Sequence, residues 1–230
     1  MPYRLVRSRA RRRLSLVMTP QGELEARAPM RLSVERIEAF IRASADWIER
    51  AKAQADAARA AFGQTLLLED GGFVLFRGAK ARLCWGKSTR AVLNFPEGRE
   101  IWLKARDGLQ AEKELHALLK REARSVIDRA YAKMAVRAKR LPVKFWKLSS
   151  SRSRWGSASA ARATVNLSWR LVFIDDALIE YVAAHELAHL VEANHSQAFW
   201  KEVEAILPDW KRRHQALRAV RMELLPFYDD

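Results

Sequence analysis

His185-Glu186-Leu187-Ala188-His189, led in by Tyr181-Val182-Ala183-Ala184 and followed by Leu190-Val191, is the stretch on which the reading of this chain turns. The flanking residues are apolar and mostly helix-friendly, as a buried helix requires. In a helix, positions i and i+4 share a face one turn apart. The imidazoles of His185 and His189 can therefore bind one metal ion without strain, and Glu186 can address a water on the open side of that ion. A zinc-bound water has its pKa lowered to about 7, and a carboxylate beside it can accept its proton and later deliver it to a leaving group. The chain has five histidines, and three of them, His185, His189 and His195, fall within eleven residues.

A catalytic zinc commonly takes three protein ligands and leaves a fourth position open. His195 is the natural third. The pattern predicts a helix through about Glu192 and a turn at Ala193-Asn194, where Asn tolerates the left-handed conformation that closes a helix. The chain then folds back and presents His195. Ser196 is placed to cap a second helix, whose Phe199, Trp200, Val203 and Ile206 recur at helical spacing. A carboxylate is the alternative third ligand, with Glu192, Glu202 and Glu204 as candidates. Glu192 is also placed to orient a ligand imidazole. The metzincin pattern shares the spacing to the third histidine but has Gly where Glu192 stands, and no Met-turn sequence follows, which argues against that class. An oxyanion that develops during hydrolysis needs a donor beyond the metal; Arg154, Tyr181 and Asn166 are the candidates, Tyr181 lying one turn before His185 on the same face.

The chain resembles the bacterial YgjP-like metallopeptidases, zincin-type proteins related to SprT-like proteases. The resemblance runs over nearly the whole length. It is carried by Arg11-Arg12-Arg13-Leu14-Ser15-Leu16, Leu24-Glu25-Ala26-Arg27-Ala28-Pro29 and the tryptophan of Ala45-Asp46-Trp47-Ile48. Further on it is carried by Ser153-Arg154-Trp155-Gly156-Ser157, by Val165 to Leu171, by Tyr181 to Leu190 and by Asn194-His195-Ser196-Gln197-Ala198-Phe199-Trp200. It implies His185, His189 and His195 as zinc ligands and Glu186 as catalytic base, and it adds weight to Arg154. Ala158 departs from the resemblance, standing where the family usually carries a Cys after Trp-Gly-Ser. The segment from about Gly63 to Arg106 matches least.

At 230 residues the chain is one large domain or two small ones. Its 49% apolar content suits a globular protein, no run approaches a membrane span, and the basic N-terminus lacks the apolar stretch of a signal peptide. The single Cys84 excludes an internal disulfide, points to a reducing compartment, the cytoplasm, and reads as a small apolar filler. Net charge is +15, which favours acidic partners such as nucleic acid or nucleotides. The charge is concentrated: residues 1–13 carry six Arg and no acid, and Lys120 to Lys147 holds ten basic residues against Glu122 and Asp128. The competing reading is a solvated basic face, and no DNA-reading motif accompanies it.

The predicted fold class is α+β, with a β-rich N-terminal region over 1–107 that includes one long helix, and a helical zincin-like region over 108–230. Arg13–Val17 and Glu23–Ala28 form a hairpin about Thr19-Pro20-Gln21-Gly22. A helix capped near Ser33 runs to about Arg59 with Ile37, Phe40, Ile41, Ala45 and Ile48 on one face. Leu66 to Leu103 reads as a strand meander, Ala111 to Arg140 as a long basic helix stopped by Leu141-Pro142, and Val143–Leu148 and Thr164–Leu167 as strands joined by a loop through Trp155-Gly156. A last helix spans Pro208 to Arg221. Val165-Asn166-Leu167 is the candidate open edge for an extended peptide.

The leading function is a zinc-dependent metallohydrolase acting on polypeptide. One rival is a nucleoside-triphosphate pyrophosphohydrolase, which the arginine excess favours and the lack of a Gly-rich phosphate cradle opposes. The other is a nucleic-acid-associated protease or binding module. In a pure binding module the metal would be structural, and there Glu186 would have no use.

Overall fold

The computed structural model describes residues 2–19, 22–86, 92–94, 99–139 and 145–227. The chain forms two compact units, Met1–Gln64 and Thr65–Asp230, and its fold class is α+β.

In the first unit, β2 (Ser15–Met18) and β3 (Leu24–Pro29) pair antiparallel as the expected hairpin. Pro20 and Gln21 of its turn lie outside the described residues. The arginine-rich start is itself a strand, β1 (Arg4–Ser8), laid parallel to β3 on the side away from β2. Arg7 Nη1 donates to the carbonyl oxygens of Met30 at 2.8 Å and Leu32 at 2.7 Å, so part of the N-terminal charge holds the strand to the loop after β3.

The single helix expected from Ser33 to Arg59 is two helices, α1 (Val34–Ala43) and α2 (Ala45–Phe62). Ser44 leaves the helical region at φ −102°, ψ 16°. Ser33 does cap α1, accepting from the Arg36 N–H at 3.4 Å. Ile37, Ile41 and Ile48 bury against Leu24, Ala26 and Ala28 of β3. Phe40, expected on that face, is 42% exposed.

The second unit opens with β4 (Leu66–Leu67), β5 (Phe73–Phe76), β6 (Ala79–Gly86), β7 (Val92–Asn94) and β8 (Glu100–Lys104). Their order is β4-β5-β6-β8-β7, with β6 and β8 parallel. This corrects the expected meander: β8 inserts between β6 and β7, a long-range pairing that strand propensity does not encode. The long helix α3 spans Gly108–Arg137, starting three residues earlier than expected because Asp107 caps it by accepting from the Gln110 N–H at 2.8 Å. Its Leu115, Leu118, Leu119, Ile127 and Met134 are buried, each such side chain contributing about 1.5–3 kcal/mol. β8 packs on α3 within the second unit.

A second sheet holds β9 (Phe145–Ser149), β10 (Gly156–Ser159) and β11 (Thr164–Ser168) in the order β10-β11-β9. Val143 and Lys144 lie outside the described residues. β11 is paired on both sides, antiparallel to β10 and parallel to β9. Val165-Asn166-Leu167 is therefore a central strand and not an edge; the edge strands are β9 and β10, the latter lying where a loop is expected. A buried 3₁₀ turn, Trp169–Phe173, follows.

Three helices complete the unit: α4 (Asp176–Ala188), α5 (Gln197–Ile206) and α6 (Trp210–Ala219). α4 is packed against α3, α5, α6 and β10. Its start is clamped from the β5–β6 turn, where the Arg77 guanidinium pairs with Asp176 through Nε at 2.8 Å. No helix among the described residues is long and apolar enough to cross a membrane.

Glu180 ties three helices together. Its carboxylate accepts from Lys133 of α3 and from Arg213 Nη1 of α6 at 2.8 Å. Burial raises its pKa, but the two cations outweigh that and hold it below its ordinary value. The resulting stability is present above the unfolded carboxylate value, about 4.3, and is lost as pH falls through the lower folded value. Glu180→Gln should cost about 1–3 kcal/mol at pH 7. Urea denaturation of both proteins at pH 7 and at about pH 3 should show the gap closing with acidification; a constant gap would refute this account.

Candidate metal centre and active site

α4 is apolar nearly all round, and its few polar side chains mark the site. Tyr181, His185 and His189 recur every four residues on one face. The helix ends at Ala188, four residues earlier than expected. His189 caps it and keeps the helical bond from its N–H to the His185 carbonyl at 3.2 Å. The next residues close in a tight turn, with the Val191 and Glu192 N–H groups both donating to the Ala188 carbonyl at 3.0 Å. Ser196 then caps α5, accepting from the Phe199 N–H at 3.2 Å. That turn delivers His195 to the end of α4.

The three imidazoles converge. One ring nitrogen from each of His185, His189 and His195 lies within 4.8 Å of the others, and the Nε2 atoms of His185 and His195 are 3.1 Å apart. Two nitrogens bound to one tetrahedral zinc at 2.0–2.1 Å would be separated by about 3.3 Å. His189 Nδ1 faces the Glu192 carbonyl at 3.0 Å, to which it donates, leaving Nε2 free to ligate. The orienting role considered for the Glu192 carboxylate is thus filled by its backbone. Among the described residues no carboxylate joins the cluster, so Glu192, Glu202 and Glu204 drop out as ligand candidates.

The electrostatics suit a cation. Burial, followed by the neighbouring imidazoles, pushes His185 down to about 3, and burial also lowers His189. Both rings are neutral at pH 7, the form that ligates. Beneath them lies the fully buried Phe199, its ring 4.9 Å from His185, 4.4 Å from His189 and 4.8 Å from His195.

Glu186 is 6% exposed, and burial, offset in part by Arg154, moves its carboxyl up to about 7. It sits against the start of β10. A Cβ built on Gly156 would lie 2.6 Å from Glu186 Cγ and 2.7 Å from Oε1, closer than atoms pack, so any larger residue would have to push the carboxylate aside. Glu186, Arg154, Tyr181, His185 and Gly156 line one cleft of about 370 Å³. Asn166 does not line it; its Nδ2 donates to Ser157 Oγ at 3.2 Å. Tyr181 is 2% exposed, and its hydroxyl lies 2.7 Å from His214 Nδ1 and 3.4 Å from His185 Nδ1.

His214 is the cleft residue that the sequence reading missed. It lies on α6 between Arg213 and Gln215, a basic stretch with no motif around it, and its partner Tyr181 is 33 positions away. Burial, then the nearby Arg218, lowers its pKa. Gly156 was read as a loop corner, and nothing local signalled the carboxylate packed on it.

A family model described as YgjP-like, metallopeptidase domain, matches residues 12–220. The chain belongs to the YgjP-like metallopeptidase family. Among solved structures, the metallopeptidase zymogen of Pyrococcus abyssi abylysin is similar to this YgjP-like chain at 23% identity and a TM-score of 0.33, over 41% of this chain and 90% of that one. No curated protein matches. A YgjP-like metallopeptidase implies a metal ion, and the donor set fits one: three imidazoles, each with a ring nitrogen brought close to the other two. Nucleic-acid binding gains no support from the family or the site. Much of the basic α3 face of this YgjP-like protein is engaged within the chain, Lys133 on Glu180, Lys120 over the Trp169 ring and Arg124 over Trp146.

Because Phe199 underlies all three rings, Phe199→Ala should cost about 3–5 kcal/mol, with Phe199→Leu retaining most of the stability. Urea denaturation of the two variants checks the ranking.

Proposed function

We propose that the protein is a zinc-dependent peptidase in which His185, His189 and His195 hold the metal and Glu186 is the general base. The observation that carries this reading is the convergence of three imidazole nitrogens, one of them from His185, which lines the same cleft as the buried Glu186 carboxylate. Zinc, when bound, supplies Lewis-acid polarisation of a carbonyl and acidifies a water. Glu186 takes a proton from the attacking water and returns it to the leaving amine nitrogen as the C–N bond breaks. Its burial keeps the carboxyl basic enough for the first transfer and acidic enough for the second.

Arg154 lines the same cleft and offers positive charge to the oxygen that becomes anionic. Tyr181 acts through its hydroxyl contact with His185, holding that ring in the orientation ligation needs. The substrate is polypeptide. The edge of β10 not paired with β11 can take an extended chain by main-chain hydrogen bonds. Since β10 begins at Gly156, a chain added there runs past Glu186.

Glu186→Gln should abolish cleavage of denatured casein while the zinc content of the purified protein stays unchanged, as measured by atomic emission. His195→Ala should lower zinc affinity by at least about 10-fold in a competition titration, leaving a folded protein. Release of pyrophosphate from UTP by zinc-loaded wild type, with casein left intact, would overturn the peptidase reading.

A further inference from the structure

Hydrogen-bond accounting along one chain of contacts assigns a proton to His214. That chain of contacts starts at the proposed metal site, on which the inference rests. A histidine that ligates through Nε2 carries its hydrogen on Nδ1. His185 Nδ1 therefore donates towards the Tyr181 hydroxyl oxygen, 3.4 Å away. Tyr181 has one hydrogen of its own and is buried. Its other ring partner is His214 Nδ1 at 2.7 Å, the short distance of a well-formed bond from a hydroxyl. Tyr181 O–H thus donates to His214 Nδ1, and a neutral His214 with an acceptor at Nδ1 bears its hydrogen on Nε2.

His214 lines the same cleft as Glu186 and Arg154. The Trp200 and Trp210 rings, themselves stacked at 4.3 Å, pack together against one side of its imidazole at centroid distances of 5.5 Å and 6.2 Å. A ring backed in that way, with its tautomer fixed by Tyr181, is preorganised, the condition under which a donor stabilises developing charge without reorganising.

We propose that His214 is a catalytic hydrogen-bond donor: its Nε2–H binds the scissile carbonyl oxygen and strengthens that bond as the oxygen becomes anionic. The step balances without His214 losing its proton. The water oxygen bonds to the carbonyl carbon, one water proton passes to Glu186, the C–N bond breaks, and that proton ends on the amine. Tyr181 is the positioning residue that sets the His214 tautomer.

The test uses the zinc-loaded full chain, denatured casein and an internally quenched peptide derived from it, and a phosphinic peptide as a tetrahedral oxyanion mimic. His214→Ala should lower kcat by about 10²–10³-fold, with KM and zinc content little changed, and should weaken the phosphinic peptide far more than the cleaved product. His214→Gln, which fills the same space and can both accept and donate, should recover about 10-fold or more of the kcat. Should His214→Ala fail to fold, Gln against wild type carries the comparison. Imidazole ¹⁵N spectra of the wild type should show His214 protonated at Nε2 and bare at Nδ1, and Tyr181→Phe should mix the two tautomers. An active wild type whose His214→Ala variant keeps kcat within about 3-fold, or a His214 with its proton on Nδ1, overturns the assignment to His214 alone. A zinc-loaded wild type that cleaves no peptide overturns the peptidase reading and this inference with it.

Discussion

Everything at this site depends on holding two imidazoles one helical turn apart on a helix that is buried on almost every side. An exposed helix could carry the same spacing, but its side chains would sample rotamers freely. Here α4 is gripped at its start by Arg77, along its flank by the Glu180 network joining α3 and α6, and at its end by the aromatic bed of Phe199. Two of the grips are ion pairs and the third is aromatic packing, so acid that weakens the first two leaves the third in place. The apolar surround also keeps the histidines uncharged and the carboxyl near neutrality, so packing and acid–base character have one cause.

The helix stops early, and this is as important as its burial. Ending at Ala188 frees the backbone to turn within a few residues and bring His195 back over His185. The same turn aims the Glu192 carbonyl at His189 Nδ1. A helix continued to Glu192 would have carried that carbonyl along the axis and left the ring without its orienting acceptor. The loop therefore contributes a donor atom and a tautomer from the same four residues.

What the sequence discloses follows the range of each interaction. The His185–Glu186–His189 spacing, the caps at Ser33 and Ser196 and the hairpin of β2 and β3 are local, and local patterns are legible. His195 was legible because ligand chemistry and a turn signal agreed. The arginines at the N-terminus concealed β1, whose pairing with β3 skips a strand. The insertion of β8 beside β6, the double pairing of β11 and the break at Ser44 depend on contacts remote in the chain. His214 has no periodicity or motif near it; what makes it a member of the cleft is a hydroxyl on another helix.

The contact between Gly156 and Glu186 has a consequence for variation. Nineteen of the twenty amino acids carry a β-carbon, and any of them at position 156 would occupy space that the carboxylate fills. Even alanine there would displace the Glu186 side chain, so position 156 governs where that carboxylate rests, on steric grounds that hold before any substrate arrives.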